Sequence, residues 1–368
     1  MLLIDSPVDN CFRVIPKSEN KTEFRILQVT DMHLDRVTPI KARIFREIKE
    51  MIDNFHPDLI VNTGDMFCHS PPFYIRKILR DFDKKVGIPW AFAWGNHDCE
   101  NFKPGAWFKT FDEIESYLNH LPHCLYSPTR NFIENFGSDS IQNDPRECQA
   151  YLNFLNPVNN ASEMVTAKRF DGFYGGNYRI QILHPQTRQP VWNLFIMNSR
   201  RDHHIPPKAL RWMKDSMEKD SPKLPAMLFY HVPNYEYEIF WNEKKAHGIK
   251  GERVCFEGDR GEIHAFLKTL GTIKGVFVGH DHVNDYYVDV DGIRYSYGRK
   301  TGVLAYGGDW NLKNQYLPGK RAIKPGATLI TLNFDGATPL ANSWTHCSVF
   351  PNGSTWIPNG MEDMGTIR

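Results

Sequence analysis

A chain of 368 residues with 41% apolar and 24% charged residues can bury a core in one large or two ordinary domains without disulfides, which excludes disorder as the main state. A formal net charge of +1 excludes a global field that draws in nucleic acid or an anionic membrane. Neither kind of partner is expected, and protein partners are left open.

Met1 to Asn10 carries Asp5 and Asp9 and lacks a basic leader and a sustained apolar run, so no secretory signal is expected there. No stretch is long enough to span a bilayer. The cysteines Cys11, Cys68, Cys99, Cys124, Cys148, Cys255 and Cys347 are scattered, odd in number and without a Cys-x-x-Cys pair. Reduced thiols and a cytoplasmic location are the expectation.

The first apolar run, Phe24 to Thr30, reads as a buried strand. A helix follows, opened by Pro39 and carrying Ile40, Ile44, Phe45, Ile48, Met51, Ile52 and Phe55 at helical spacing. Leu59 to Thr63 is the next strand, Tyr74 to Lys85 a second helix, and Trp90 to Trp94 a third strand. This alternation predicts a mostly parallel sheet with helices packed outside it. From Glu100 to about Gly176 the chain is long and aromatic and only patchily periodic, and it reads as an insertion or lid.

Further strands are expected at Leu194 to Met197, Met227 to Tyr230 and Val276 to Val278. An antiparallel part follows at Tyr286 to Tyr297 and Thr328 to Phe334, around the turns Asp291-Gly292 and Asp335-Gly336. Residues 1–350 are expected to form a single α/β domain with the insertion at about 100–176, and 351–368 a loose tail.

The side chains able to hold a metal fall just after these strands. Asp31 and His33 follow the first, Asp65 the second, and Asn96 to Asp98 the third; His231 follows Tyr230, and His280 and His282 follow Val278. In open α/β sheets ligands bind beyond the carboxyl ends of strands, so the five clusters can converge. A lone Gly-Asp or His-x-His usually marks a turn. The ordered series Asp-x-His, Gly-Asp, Gly-Asn-His-Asp, His, Gly-His-x-His is hard to obtain by accident.

Over about residues 24–310 these blocks resemble the calcineurin-like metallophosphoesterases: Asp31-Met32-His33, Gly64-Asp65, Gly95-Asn96-His97-Asp98, His231 and Gly279-His280-Asp281-His282. Trp94-Gly95 and the run through Val283-Asn284-Asp285 look like the purple-acid-phosphatase-like branch of yeast and plants. The resemblance implies a four-layer α-β-β-α sandwich. It also implies two metal ions, one held by Asp31, His33, Asp65 and His282, the other by Asp65, Asn96, His231 and His280, with Asp65 bridging. Mixed carboxylate, amide and imidazole donors admit Mn, Fe or Zn.

Purple acid phosphatases have a tyrosine three residues after the bridging aspartate and a glycine in place of the first-block histidine; Cys68 and His33 stand there in this chain, so the tyrosine charge-transfer colour should be absent. The resemblance further implies attack by a metal-bridging hydroxide, with His97 protonating the leaving oxygen and Asp98 setting the tautomer of His97. For substrate contacts the candidates are Arg200, in the run Asn198 to His204, and Arg299, although a solvated turn is an equal reading of that run. Tyr297-Gly298-Arg299 and Tyr306-Gly307-Gly308 are candidate pocket walls. Hydrolysis of a phosphomonoester is expected, with a phosphodiesterase as the rival and a non-catalytic scaffold as a distant third.

Overall fold

The computed structural model describes residues 2–8, 10–34, 38–68, 70–98, 107–128, 176–199, 205, 207–256, 259–307 and 322–364. The chain opens with an antiparallel pair, β1 (Leu2–Val8) and β2 (Cys11–Ile15). Then comes the expected alternation: β3 (Glu23–Val29), α1 (Thr38–Phe55), β4 (Leu59–Asn62), α2 (Pro72–Val86) and β5 (Trp90–Phe92). In α1 the buried residues Ile44, Ile48, Met51 and Ile52 recur at helical spacing, and exposed Arg46, Glu50 and Asp53 lie between them. Helix α2 starts at Pro72 and ends where Gly87 takes the left-handed conformation (φ 61°), its N–H donating to the Asp83 carbonyl.

β3, β4 and β5 pair in parallel. Their sheet is extended by β6 (Cys124–Leu125) beyond β5 and, antiparallel to β3, by the expected strand β14 (Ala327–Asn333), followed by β15 (Trp344–Val349) and β16 (Thr355–Trp356); β6, β15 and β16 had not been read from the sequence. The second sheet has ten strands in the order β1-β2-β7-β8-β9-β11-β13-β12-β10-β17. Its members after β2 are β7 (Tyr178–Leu183), β8 (Pro190–Ile196), β9 (Ala226–Phe229), β10 (Ala246–Lys250), β11 (Ile273–Val278), β12 (Asn284–Val290), β13 (Ile293–Tyr297) and β17 (Met361–Asp363). At its centre β8, β9, β11 and β13 run parallel. β12 and β13 form an antiparallel hairpin whose turn, Asp291-Gly292, has positive φ at both residues, as the Asp-Gly signal predicts.

The sheets face one another. Gln28 Nε2 of β3 donates to the Val278 carbonyl of β11 (3.0 Å), Trp192 Nε1 of β8 to the Asn333 carbonyl of β14 (3.0 Å), and Tyr178 Oη of β7 to the Phe92 carbonyl of β5 (3.0 Å). β4, β5 and β9 are buried along their whole length, so each sheet's other face is covered as well. Helices α1, α2 and α3 (Trp107–Asn119) cover the first sheet; α4 (Pro207–Glu218), α5 (Glu236–Asn242) and α6 (Glu262–Leu270) belong to the second. This is the expected four-layer α/β sandwich.

Two sequence expectations need correction. Residues 351–364 are not a loose tail: β16 pairs with β15, and β17 pairs in parallel with β10, giving each sheet an edge strand. All three residues of β17 are exposed, so backbone pairing there leaves no apolar pattern to read. The segment 100–176 is not wholly an insertion, since α3 packs on α2 and β6 extends the first sheet. Residues 129–175, the greater part of the expected lid, lie outside the described residues.

Candidate metal centre

Five loops at strand ends meet between the sheets. The loops after β3 and β4 stay paired beyond the strands, with Asp31 N donating to Gly64 O (3.1 Å) and His33 N to Asp65 O (2.9 Å); Gly279 N donates to His231 O (3.0 Å). Asp31, His33, Asp65 and His280 all sit at positive φ (52°, 47°, 50° and 79°), a conformation that costs a non-glycine residue about 1 kcal/mol or more. Four such residues in one place mark a site held by its surroundings. Glycine is required at Gly95 and Gly279, where a Cβ would lie 2.2 Å from Asp65 Oδ1 and 2.0 Å from Thr30 Oγ1.

Two groups of donors result. Asp31, His33, Asp65 and His282 have ligand-capable atoms within 4.8 Å of one another and are all buried; Asp65, His231 and His280 form a second group by the same measure. Asp65 belongs to both. In the first group the His33 and His282 Nε2 atoms are 2.9 Å apart, with Asp31 Oδ1 3.5 Å from His282 Nε2 and Asp65 Oδ2 3.7 Å from His33 Nε2. In the second, Asn96 Oδ1 lies 3.1 Å from His231 Nε2 and 3.0 Å from His280 Nδ1, and Asp65 Oδ2 is 3.2 Å from His231 Nε2.

The electrostatics fit cations. Asp65 Oδ2 is buried and accepts no hydrogen bond, although it lies 3.7 Å from His33 Nε2 of the first group and 3.2 Å from His231 Nε2 of the second. Burial opposes charge on His231, yet the Asp65 carboxylate outweighs it and pushes the imidazole up to about 10. Burial, then His282 and Lys300, depress His33; burial, then Lys300, depress His282, so both imidazoles keep a free lone pair. Burial would raise Asp31, but His282 beside it holds the carboxyl below the usual carboxylate range. Nδ1–H groups fix two rings: His231 Nδ1 is 2.7 Å from the Thr63 carbonyl and His282 Nδ1 2.8 Å from that of Tyr306, leaving each Nε2 turned to the site.

His97 stands at the rim, its side chain 36% exposed, with Nε2 4.0 Å from Asp65 Oδ2 and its backbone N–H donating to Asp65 Oδ1 (2.9 Å). Asp98 is placed differently from the sequence expectation. Its carboxylate accepts from the backbone N–H groups of Asp65 (3.0 Å), Gly95 (2.7 Å) and Phe67 (2.9 Å), tying the loop after β4 to the loop after β5. Burial and the Asp65 charge push Asp98 up to about 8, a repulsion that cations in the two donor groups would relieve.

Arg299 is not at the donor groups. Its side chain is buried on Asp285, donates through Nε to the Lys324 carbonyl (2.7 Å), and has its guanidinium over the Phe350 and Trp356 rings. Asp285 of β12 and the Lys324 carbonyl take up its donors, contacts that no spacing in the sequence reveals. Arg200 lies outside the described residues, as do Gly308 and His203 and His204. Tyr306 does flank the site, its ring stacked on His282 at 4.1 Å between centroids. Sequence reading missed Thr30, whose Oγ1 donates to Asp31 Oδ2 (2.9 Å), and the buried Lys300, whose Nζ donates to the Asp31 carbonyl (2.7 Å). Burial drives Lys300 down to about 8 against the pull of Asp31 and Asp65.

This centre and sandwich define a metallophosphoesterase. The calcineurin-like phosphoesterase family model matches residues 24–284, and the chain belongs to that family; it is a phosphoric ester hydrolase. Among its relatives, "Probable inactive purple acid phosphatase 28" of Arabidopsis thaliana is 27% identical over 334 residues, covering 81% of this chain and 75% of the relative. "Phosphatase DCR2" of Saccharomyces cerevisiae is 23% identical over 325 residues, 76% of this chain and 47% of that protein. A solved dimetal phosphatase from Danio rerio has a TM-score of 0.40 at 12% identity, covering 87% of this chain and 98% of the other. Among the described residues no helix is long and apolar enough to cross a membrane.

Proposed function

We propose that the chain hydrolyses phosphomonoesters at a pair of cations, one held by Asp31, His33, Asp65 and His282 and the other by Asp65, Asn96, His231 and His280. The observation that carries the reading is Asp65, a buried carboxylate common to two donor groups, with one oxygen that accepts no hydrogen bond. When bound, such a pair lowers the pKa of water and offsets the negative charge of the phosphoryl oxygens. The donors combine oxygen and imidazole nitrogen and suit Mn, Fe or Zn.

The protein's own groups do the rest. Asp31 and Asp65 remain ionised, and His231 and His282 turn Nε2 inward because their Nδ1 atoms are held by carbonyls. Lys300 and the left-handed turns fix the Asp31 main chain. His97, at the exposed rim beside Asp65, carries the proton to the leaving oxygen. Asp98 acts by clamping the loops that carry Asp65 and Asn96. The named phosphatase among the relatives supports monoester cleavage, and a phosphodiesterase is the second reading. The scattered, odd-numbered cysteines, without a Cys-x-x-Cys pair, support a reducing, cytoplasmic setting.

The test is metal analysis with hydrolysis of p-nitrophenyl phosphate and bis-p-nitrophenyl phosphate after loading with Mn²⁺, Fe²⁺ or Zn²⁺. Near two ions per chain with faster monoester cleavage is expected. Faster diester cleavage promotes the second reading, and absence of both metal and turnover removes the assignment.

A further inference from the structure

A third group of donors adjoins the second cation site. Cys255, His280 and Asp281 have ligand-capable atoms within 4.8 Å of one another. Cys255 lies in the loop after β10, and its backbone N–H donates to Asp281 Oδ2 (3.2 Å), so the two residues are held together by main chain. Tyr297 Oη donates to the same oxygen (2.5 Å), anchoring the carboxylate from β13. Glu252, three residues before Cys255, accepts from Val283 N (3.0 Å) and so ties this loop to the segment after His282. The thiol is half-buried, which leaves it a path to solvent.

His280 belongs to both sites. It is the one residue common to the Asp65–His231 group and the Cys255–Asp281 group, and its Nδ1 lies 3.0 Å from Asn96 Oδ1. A thiolate, an imidazole and a carboxylate are the donor types of zinc-class sites, whereas manganese and magnesium favour oxygen donors. The two cation sites proposed above contain no sulfur donor.

We propose that Cys255, His280 and Asp281 bind a third cation of the zinc class, and that its occupancy inhibits hydrolysis by drawing His280 away from the second catalytic cation. This rests on the role proposed for His280. Binding releases one proton, from the Cys255 thiol to solvent, forms a sulfur–metal, a nitrogen–metal and an oxygen–metal bond, and breaks the bond from His280 to the second catalytic cation, where water takes its place, with no change of oxidation state. Mn²⁺ leaves this site empty and so does not inhibit.

The full-length protein, loaded with Mn²⁺, is titrated with Co²⁺ and followed in the near ultraviolet, where a thiolate–cobalt charge-transfer band reports sulfur ligation. Its hydrolysis is measured in parallel as Zn²⁺ is added. The expected result is a band that saturates at one equivalent, persists in Cys68→Ser and is lost in Cys255→Ser. Zn²⁺ should inhibit the unaltered protein at least about tenfold more than Cys255→Ser. Absence of the band, its survival in Cys255→Ser, or equal inhibition of both proteins overturns the proposal while two bound Mn²⁺ and steady turnover leave the phosphoesterase reading intact. Failure to bind Mn²⁺ at all, in either protein, overturns both.

Discussion

His97 shows what one residue adds to a shared scaffold. Its main chain is fixed by Asp65 while its ring faces the rim, so its removal leaves the donors in place. His97→Ala is expected to lower kcat by about 10² to 10⁴-fold on a substrate with a poor leaving group, and much less on p-nitrophenyl phosphate, which departs without a proton. Metal content should stay near the parent value. Equal losses on both substrates would argue that the ring positions something other than the leaving oxygen. Asp31, His33, Asp65 and His231 were legible because each short side chain directly follows an apolar strand. Lys300 and Arg299 were not, because the first meets Asp31 across 269 positions and the second turns to Asp285 on β12, and neither contact has a local signature.

At the scale of elements, β15 carries a group that burial keeps neutral. His346 packs beside Tyr287, Trp344 and Phe277, at 5.1, 5.8 and 6.0 Å between centroids, and its Nδ1 is buried with no hydrogen-bond partner. Burial, and then the Arg294 guanidinium, depress it from 6.5 to about 3. The sign follows from proton binding: between those values the unfolded chain takes up a proton that the folded chain refuses, so stability falls as pH drops through 6.5 and levels off below about 3. His346→Phe should flatten this part of the stability curve, read by urea unfolding from pH 6.5 down to the acid limit of folding. An unchanged slope would mean that other groups set the acid sensitivity. Periodicity revealed β3, α1, β4, α2 and β5 because one face of each helix and both faces of each central strand are buried. It missed β16 and β17 because edge strands pair through backbone and show solvent their side chains.

For the whole molecule, the centre joins two sheets whose loops have few reasons to meet without it. The buried carboxylates Asp31, Asp65 and Asp98 and the left-handed backbone at Asp31 and Asp65 are unfavourable alone, and cations bound only by the folded chain would return that energy. A site filled to a hundred times its dissociation constant contributes about 2.7 kcal/mol, and two such sites contribute about twice that. Removal of metal by a chelator should therefore lower Tm by several degrees, with recovery on adding Mn²⁺ back. A chelator-independent Tm in a protein that binds two ions would mean that the loops are held by β3–β14 and β9–β11 pairing alone.

By itself the sequence determined the class of the protein, because strand-then-donor blocks in a fixed order are local facts that survive any uncertainty about packing. It determined the alternating front third for the same reason, since apolar periodicity is set within each element. Only the tertiary structure decided how β14 and β15 flank β3, where the last residues pair, that Asp98 accepts from the main chain of two loops, and that Cys255 lies near His280. Those are contacts between chain segments far apart in sequence, chosen by the facing of two sheets, and the energy that selects them appears only once both sheets are in place.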